Sequence, residues 1–167
     1  AYRDYRFLWV GNFFANNAQW LQLLTVGWLV RDLTAGSSSS ALLVVTVGGL
    51  NTVPGLVVGP WGGVLGDRID RRKLIMAIQI FMAALAFAFA LLVLSGTVRV
   101  WHAYAYVLIS GTCLSVTQPM RQTLIANTVP LESLGNAYAA NVLTIPGTRM
   151  VGPIFGGVLI ATLGFFW

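Results

Sequence analysis

The chain is 167 residues long, 57% hydrophobic and only 9% charged, where an ordinary soluble domain carries roughly 25% charged residues. That composition cannot furnish a water-wetted surface. The net charge of +5 does not point to nucleic acid either, because the basic residues fall between apolar runs rather than along one solvated face. Their counterpart is the lipid bilayer, at its cytoplasmic surface.

The first apolar run predicts a helix over 7–30. It exceeds the roughly 7 to 15 apolar residues of a secretory signal peptide, and more such runs follow, so the chain reads as polytopic and not as exported. Asn12, Asn16 and Gln19 share one face of this helix, with Asn17 and Trp20 beside it. An amide left unsatisfied among lipid tails costs a few kcal/mol, so these residues face other helices or a water-filled cavity. A whole polar stripe favours a cavity, and Asn12, Asn16, Gln19 and Trp20 are candidate substrate-pathway residues; the competing account is interhelical hydrogen-bond glue.

After a small, polar connector at 31–40, a second helix is predicted over 41–66, with Gly55, Gly59 and Gly63 at every fourth position, Gly62 and Gly66 on a neighbouring stripe, and Pro54 and Pro60 interrupting the ladder. Small residues at this spacing let two backbones approach closely in lipid. The prolines add a capacity to bend. Helices over 73–94 and 100–120 follow, separated by the short turn Ser95, Gly96, Thr97. A fifth is predicted over 134–163. Each run is long enough for the ~20 residues that cross a bilayer's hydrocarbon, which makes the fold an all-α membrane protein with about five transmembrane helices.

The fifth helix repeats the small-residue chemistry at Gly147, Gly152, Pro153, Gly156 and Gly157, and it carries Arg149 deep inside the span. A guanidinium there is expensive and faces a pathway or a partner. No carboxylate lies within the five spans, since Asp4, Asp32, Asp67 and Glu132 are at ends or connectors. The expected partner of Arg149 is therefore an anionic substrate group, backbone carbonyls, or a residue beyond this chain.

Cys113 is the sole cysteine and His102 the sole histidine, which excludes an internal disulfide, a thiolate cluster and a histidine-rich metal site. No metal and no cofactor are expected. No phosphate-binding loop of the Gly-x4-Gly-Lys-Ser/Thr type occurs, so ATP-driven pumping by this chain has no support. Arg3, Arg6, Arg68, Arg71, Arg72, Lys73 and Arg121 fall on one side of the alternating spans and only Arg31 and Arg99 on the other. The excess of basic residues places the N-terminus and the connectors 67–73 and 121–132 in the cytoplasm. The start without methionine and the stop at Phe165, Phe166, Trp167 suggest a chain truncated at both ends.

The connector after the second span runs Gly63, Val64, Leu65, Gly66, Asp67, Arg68, Ile69, Asp70, Arg71, Arg72. An anchor obeying charge bias alone needs the arginines but not Asp67, which at the C-terminal end of a helix meets the negative end of the dipole and needs a positive compensator. Arg121 is one candidate, and the pair would form a latch. Here the sequence resembles the major facilitator superfamily. Its signature at this connector is Gly, three residues, Asp, a basic residue, any residue, Gly, and two basic residues; Gly63, Asp67, Arg68, Arg71 and Arg72 match, and Asp70 stands in place of the second glycine. Gly152, Pro153, Gly156 and Gly157 resemble the core of the family's antiporter signature, with Thr148 where an upstream glycine is usual. Pro119 to Gln122, Val129, Pro130, Asn136 and Ala137 look like the enterobactin-exporter and macrolide-efflux branch, where Arg149 occupies a position that is commonly arginine.

The resemblance implies a twelve-helix transporter of two six-helix halves, of which this chain holds helices one to five of the N-terminal half. It implies alternating access around a midplane cavity, gating at Asp67 and its basic neighbours, a small-molecule substrate of drug-like or siderophore-like kind, efflux driven by a proton gradient, a C-terminal half as partner, and location in the plasma (inner) membrane. Two other classes compete: a non-transporting polytopic scaffold or receptor, and a metal-dependent lipid transferase using Asp67 and Asp70. The transferase would want more carboxylates, and the interleaved arginines repel a cation.

Overall fold

A computed structural model of the chain describes residues 3–59, 70–128 and 130–163. Among these residues the secondary structure is helical throughout. The helices are α1 (Arg3–Leu33), α2 (Ser40–Leu50), α3 (Arg71–Leu94), α4 (Val100–Thr128) and α5 (Leu134–Leu163), with one 3-10 turn at Leu131–Ser133. Beyond α2 the chain becomes helical again over 53–59. The second predicted helix is thus broken at Asn51 and Thr52, where Pro54 offers no donor to the carbonyl four residues back. There Thr52 N–H donates to Gly49 O and Gly55 N–H to Thr52 O, both at 3.0 Å and both three-residue steps. Gly63, Asp67 and Arg68, together with Pro60, Gly62 and Gly66, lie outside the described residues.

Two stretches, Ser40–Gly59 and Arg71–Leu94, are long and apolar enough to cross a membrane by length and composition. The other three long helices carry more amides and hydroxyls, and the structure shows how α4 accommodates its own. Ser110 Oγ donates to Val107 O, Thr112 Oγ1 to Leu108 O, Ser115 Oγ to Thr112 O and Thr117 Oγ1 to Cys113 O, at 2.8–3.0 Å. A hydroxyl turned back onto its own helix needs no water, which is the condition for placing it in hydrocarbon.

Past its basic first turn α3 is apolar but for Gln79, and it contributes no buried residue. Elsewhere large apolar side chains stand open, with Leu56 at 83%, Val45 at 72% and Leu143 at 71% exposure. Apolar surface on this scale is a liability in water; among lipid tails it needs no cover.

The helices sort into two compact units, Ala1–Thr25 with Gln122–Trp167, and Val26–Arg121. In the second unit Val26, Val30, Val47, Ala103, Tyr106 and Val107 form the core, with Leu85 and Phe89 of α3 packed against it. On α4, Ala103, Tyr106, Val107, Ser110, Gly111 and Thr117 are buried, at the three- and four-residue spacing of one helical face. Tyr106 stacks on Phe89 with ring centroids 4.4 Å apart and planes 10° from parallel. Tyr104 Oη donates to Leu43 O at 3.1 Å. Gly36 and Gly96 take φ of 94° and 69° in the two short connectors, a left-handed conformation that glycine adopts without steric cost.

α3 begins at an N-cap. Asp70 has φ −59° and ψ 106°, and its carboxylate accepts from Arg72 N–H at 3.1 Å. Since φ is negative, the glycine usual at this signature position is not demanded by backbone geometry here, and Asp70 satisfies a helix-end donor that would otherwise be orphaned. Asp70→Ala is expected to lower stability by about 1 kcal/mol, and Asp70→Gly by only a few tenths. Melting curves of the solubilised protein check this, and equal melting of the two variants would remove the capping role.

α4 continues through Thr128, beyond the apolar run 100–120, because Arg121, Gln122, Leu124 and Ala126 are good helix formers. Charge ends the membrane-compatible stretch without ending the hydrogen-bond ladder.

Candidate functional site

In the first unit α1 and α5 lie side by side. Tyr5 Oη donates to Ala137 O at 2.9 Å and Trp9 Nε1 to Ala140 O at 3.4 Å, pairs separated by 132 and 131 residues. Further along both helices, a Cβ added to Gly152 would stand 3.1 Å from Trp20 Cβ and 3.3 Å from Asn17 O, and one added to Gly156 would stand 3.5 Å from Leu21 Cγ and Leu24 Cδ2. The offset holds from end to end, so the two helices run parallel. Helices that enter from the same side of a membrane must do so.

The face of α5 that α1 covers is a four-residue repeat: Thr144, Thr148, Gly152 and Gly156, all buried, with Thr148 at 0% exposure. Small residues on one stripe allow the close approach. Thr144 Oγ1 donates to Ala140 O at 2.8 Å and Thr148 Oγ1 to Ile145 O at 3.0 Å, so each threonine presents a small, satisfied surface. Thr148 therefore fits where the antiporter signature has glycine. The four-residue spacing of the threonines from Gly152 and Gly156 is the sequence signal of this seam. A Cβ at Gly147 or Gly157 would meet nothing within 4 Å, so those two glycines lie off the seam, and Pro153 beside it is half-buried.

The polar stripe of α1 divides. Asn12 is 6% exposed, and the register places it level with buried Thr144. Asn16, Gln19 and Trp20 are half-buried, and Asn17 Nδ2 donates to Phe13 O at 3.0 Å. Asn12 thus sits in helix packing, while the residues one and two turns on keep an open side. Arg149 is exposed, and its guanidinium carbon lies 4.9 Å from the centroid of the Trp20 ring. The structure brings Trp20 and Arg149 together from opposite ends of the sequence, in cation–π geometry.

In the second unit Met120 is buried and Arg121 half-buried; burial pushes the Arg121 guanidinium below its ordinary range, since desolvation disfavours the charged form. Such a cation gains from an anion, and Asp67, its expected latch partner, lies outside the described residues. Arg71 is half-buried and Arg72 exposed at the start of α3. The Asp70 carboxylate is engaged at the α3 cap, which argues against its use as a metal ligand with Asp67.

The profile of the transmembrane secretion effector family matches residues 2–167. The chain is similar to a Na(+), Li(+), K(+)/H(+) antiporter of Planococcus maritimus, 23% identical over 159 residues, which are 93% of this chain and 36% of that protein. It is similar to the MFS-type transporter YfiS of Bacillus subtilis, 24% identical over 143 residues (85% and 32%). It is also similar to the multidrug resistance protein MdtG of Proteus mirabilis, 26% identical over 136 residues (81% and 33%). The chain spans about a third of the length of these curated relatives. With apolar helices that need lipid around them and a family match along nearly its whole length, the chain belongs to the transmembrane secretion effectors of the major facilitator superfamily, a family of multi-pass membrane transporters.

Proposed function

We propose that this chain is most of the N-terminal half of a secondary active exporter of a drug-like or siderophore-like small molecule, working by alternating access and drawing on a proton gradient. It acts in the plasma (inner) membrane with its N-terminus in the cytoplasm, and with a C-terminal half completing the path. The observation that carries this is the parallel packing of α1 on α5, which sets half-open amides and the Arg149 cation level with each other far from either helix end. Such groups in mid-membrane serve a solute path. The Planococcus relative is named for cation/proton exchange and the Proteus relative for multidrug resistance, and both chemistries suit such a path. Export is tested by measuring efflux of a panel of drugs and siderophores from cells expressing the full-length protein, with and without a proton gradient. Gradient-dependent efflux of at least one compound is expected, and retention of every compound overturns it.

Gating is assigned to Asp67 with Arg68, Arg71, Arg72 and the half-buried Arg121. Asp67→Asn is expected to slow efflux about tenfold, equivalent to about 1.4 kcal/mol on the barrier, while the amount of protein in the membrane stays unchanged. Efflux at the wild-type rate would remove the latch.

A further inference from the structure

Trp20 lies two residues beyond the midpoint of α1, and Arg149 lies at the midpoint of α5. At ~1.5 Å per residue each is about 20 Å from the nearer end of its helix, at the centre of a bilayer whose hydrocarbon is ~30 Å thick. Arg149 is nonetheless exposed. The guanidinium carbon stands over the Trp20 ring, a contact with the π face that takes up none of the N–H donors in a hydrogen bond. Lipid tails offer those donors nothing.

No ion pair or hydrogen bond meets Arg149 among the described residues, and the two acidic positions of its own unit lie far along the chain from it. Within the same unit, Asp4 is 16 residues from Trp20 along α1 and Glu132 is 17 residues before Arg149, each about 25 Å away at helical rise. The half-buried amides Asn16 and Gln19 sit within a turn of Trp20 on α1, adding neutral donors beside the cation.

The geometry points to an organic-anion subsite: Arg149, backed by Trp20, receives the carboxylate of an organic solute at mid-membrane. This rests on the export function proposed above and names its substrate class. Arg149 touches the anion directly. Trp20 is a positioning residue that fixes the guanidinium plane and leaves its fork free for a two-point contact, which a lysine cannot reproduce.

The test uses the full-length protein in detergent and two dyes of one xanthene scaffold, anionic carboxyfluorescein and cationic rhodamine 123, with binding read by fluorescence anisotropy. Arg149→Gln is expected to weaken carboxyfluorescein binding about tenfold or more, Arg149→Lys less, and Trp20→Leu more than Trp20→Phe. Rhodamine 123 affinity stays within about twofold. The proposal is overturned by a folded wild type that shows no saturable carboxyfluorescein binding, or by Arg149→Gln binding as the wild type does. It is equally overturned if Arg149→Gln weakens both dyes alike and lowers the melting temperature, because Arg149 would then be paired with a carboxylate elsewhere in the protein. In proteoliposomes the two proposals separate. Arg149-dependent dye binding without gradient-driven accumulation retires export and keeps the site; accumulation indifferent to Arg149 does the reverse.

Discussion

Gly111→Ala is expected to be among the most damaging single-methyl changes in the chain. Gly111 is buried on α4, and an added Cβ would collide with the backbone oxygen of Asn51 and stand 3.0 Å from Asn51 Oδ1 and 3.1 Å from Asn51 C. The obstacle is backbone, so no rotamer change clears it. It is also fixed by the break in the second span: Gly55, which in an unbroken helix would donate to Asn51 O, bonds Thr52 O instead, and Asn51 O is left to lie against the α4 glycine. Overpacking of this kind costs about 1–3 kcal/mol where side chains can yield, and the upper end is expected here. Thermal melting of the solubilised protein should show Gly111→Ala well below the wild type, with Gly48→Ala, whose Cβ would meet nothing within 4 Å, close to it. Equal melting of the two variants would contradict this close approach.

The sequence and the structure agree where a feature is written in local chemistry. Apolar runs bounded by glycine and serine announce the helices, and two connectors turn at Gly36 and Gly96, the glycines with positive φ among the described residues. Where a feature depends on which neighbour a face meets, one sequence is silent. Gly55 and Gly59 have the same spacing as Gly152 and Gly156, yet a Cβ on either of the first two would meet nothing within 4 Å, whereas the second two lie on α1. The amide stripe had the same ambiguity, and the structure divides it between a buried Asn12 and the half-open Asn16 and Gln19. The Trp20–Arg149 contact joins residues more than a hundred positions apart, so no local pattern could announce it. The gating connector remains an expectation from its motif, because Gly63, Asp67 and Arg68 lie outside the described residues.

Gly152 is the seam position where a methyl group should matter most to the proposed path. Its Cβ would come 3.1 Å from Trp20 Cβ and 3.3 Å from Asn17 O, while that of Gly156 would find ordinary contacts at 3.5 Å with the flexible ends of Leu21 and Leu24. Gly152→Ala must therefore lift α5 off α1 by a few tenths of an ångström, at a cost of about 1–3 kcal/mol. Gly156→Ala should be near neutral, because the gain in helix propensity, about 1 kcal/mol, offsets a small repacking. The atom that Gly152 crowds belongs to the residue that carries the Arg149 guanidinium. Displacing it also shifts the cation, so carboxyfluorescein affinity should fall with stability in Gly152→Ala and hold in Gly156→Ala. The order of the two glycines is the decisive measurement: a Gly156→Ala protein that melts lower than Gly152→Ala, or loses more of the anionic dye, would mean that α1 does not meet α5 along this register.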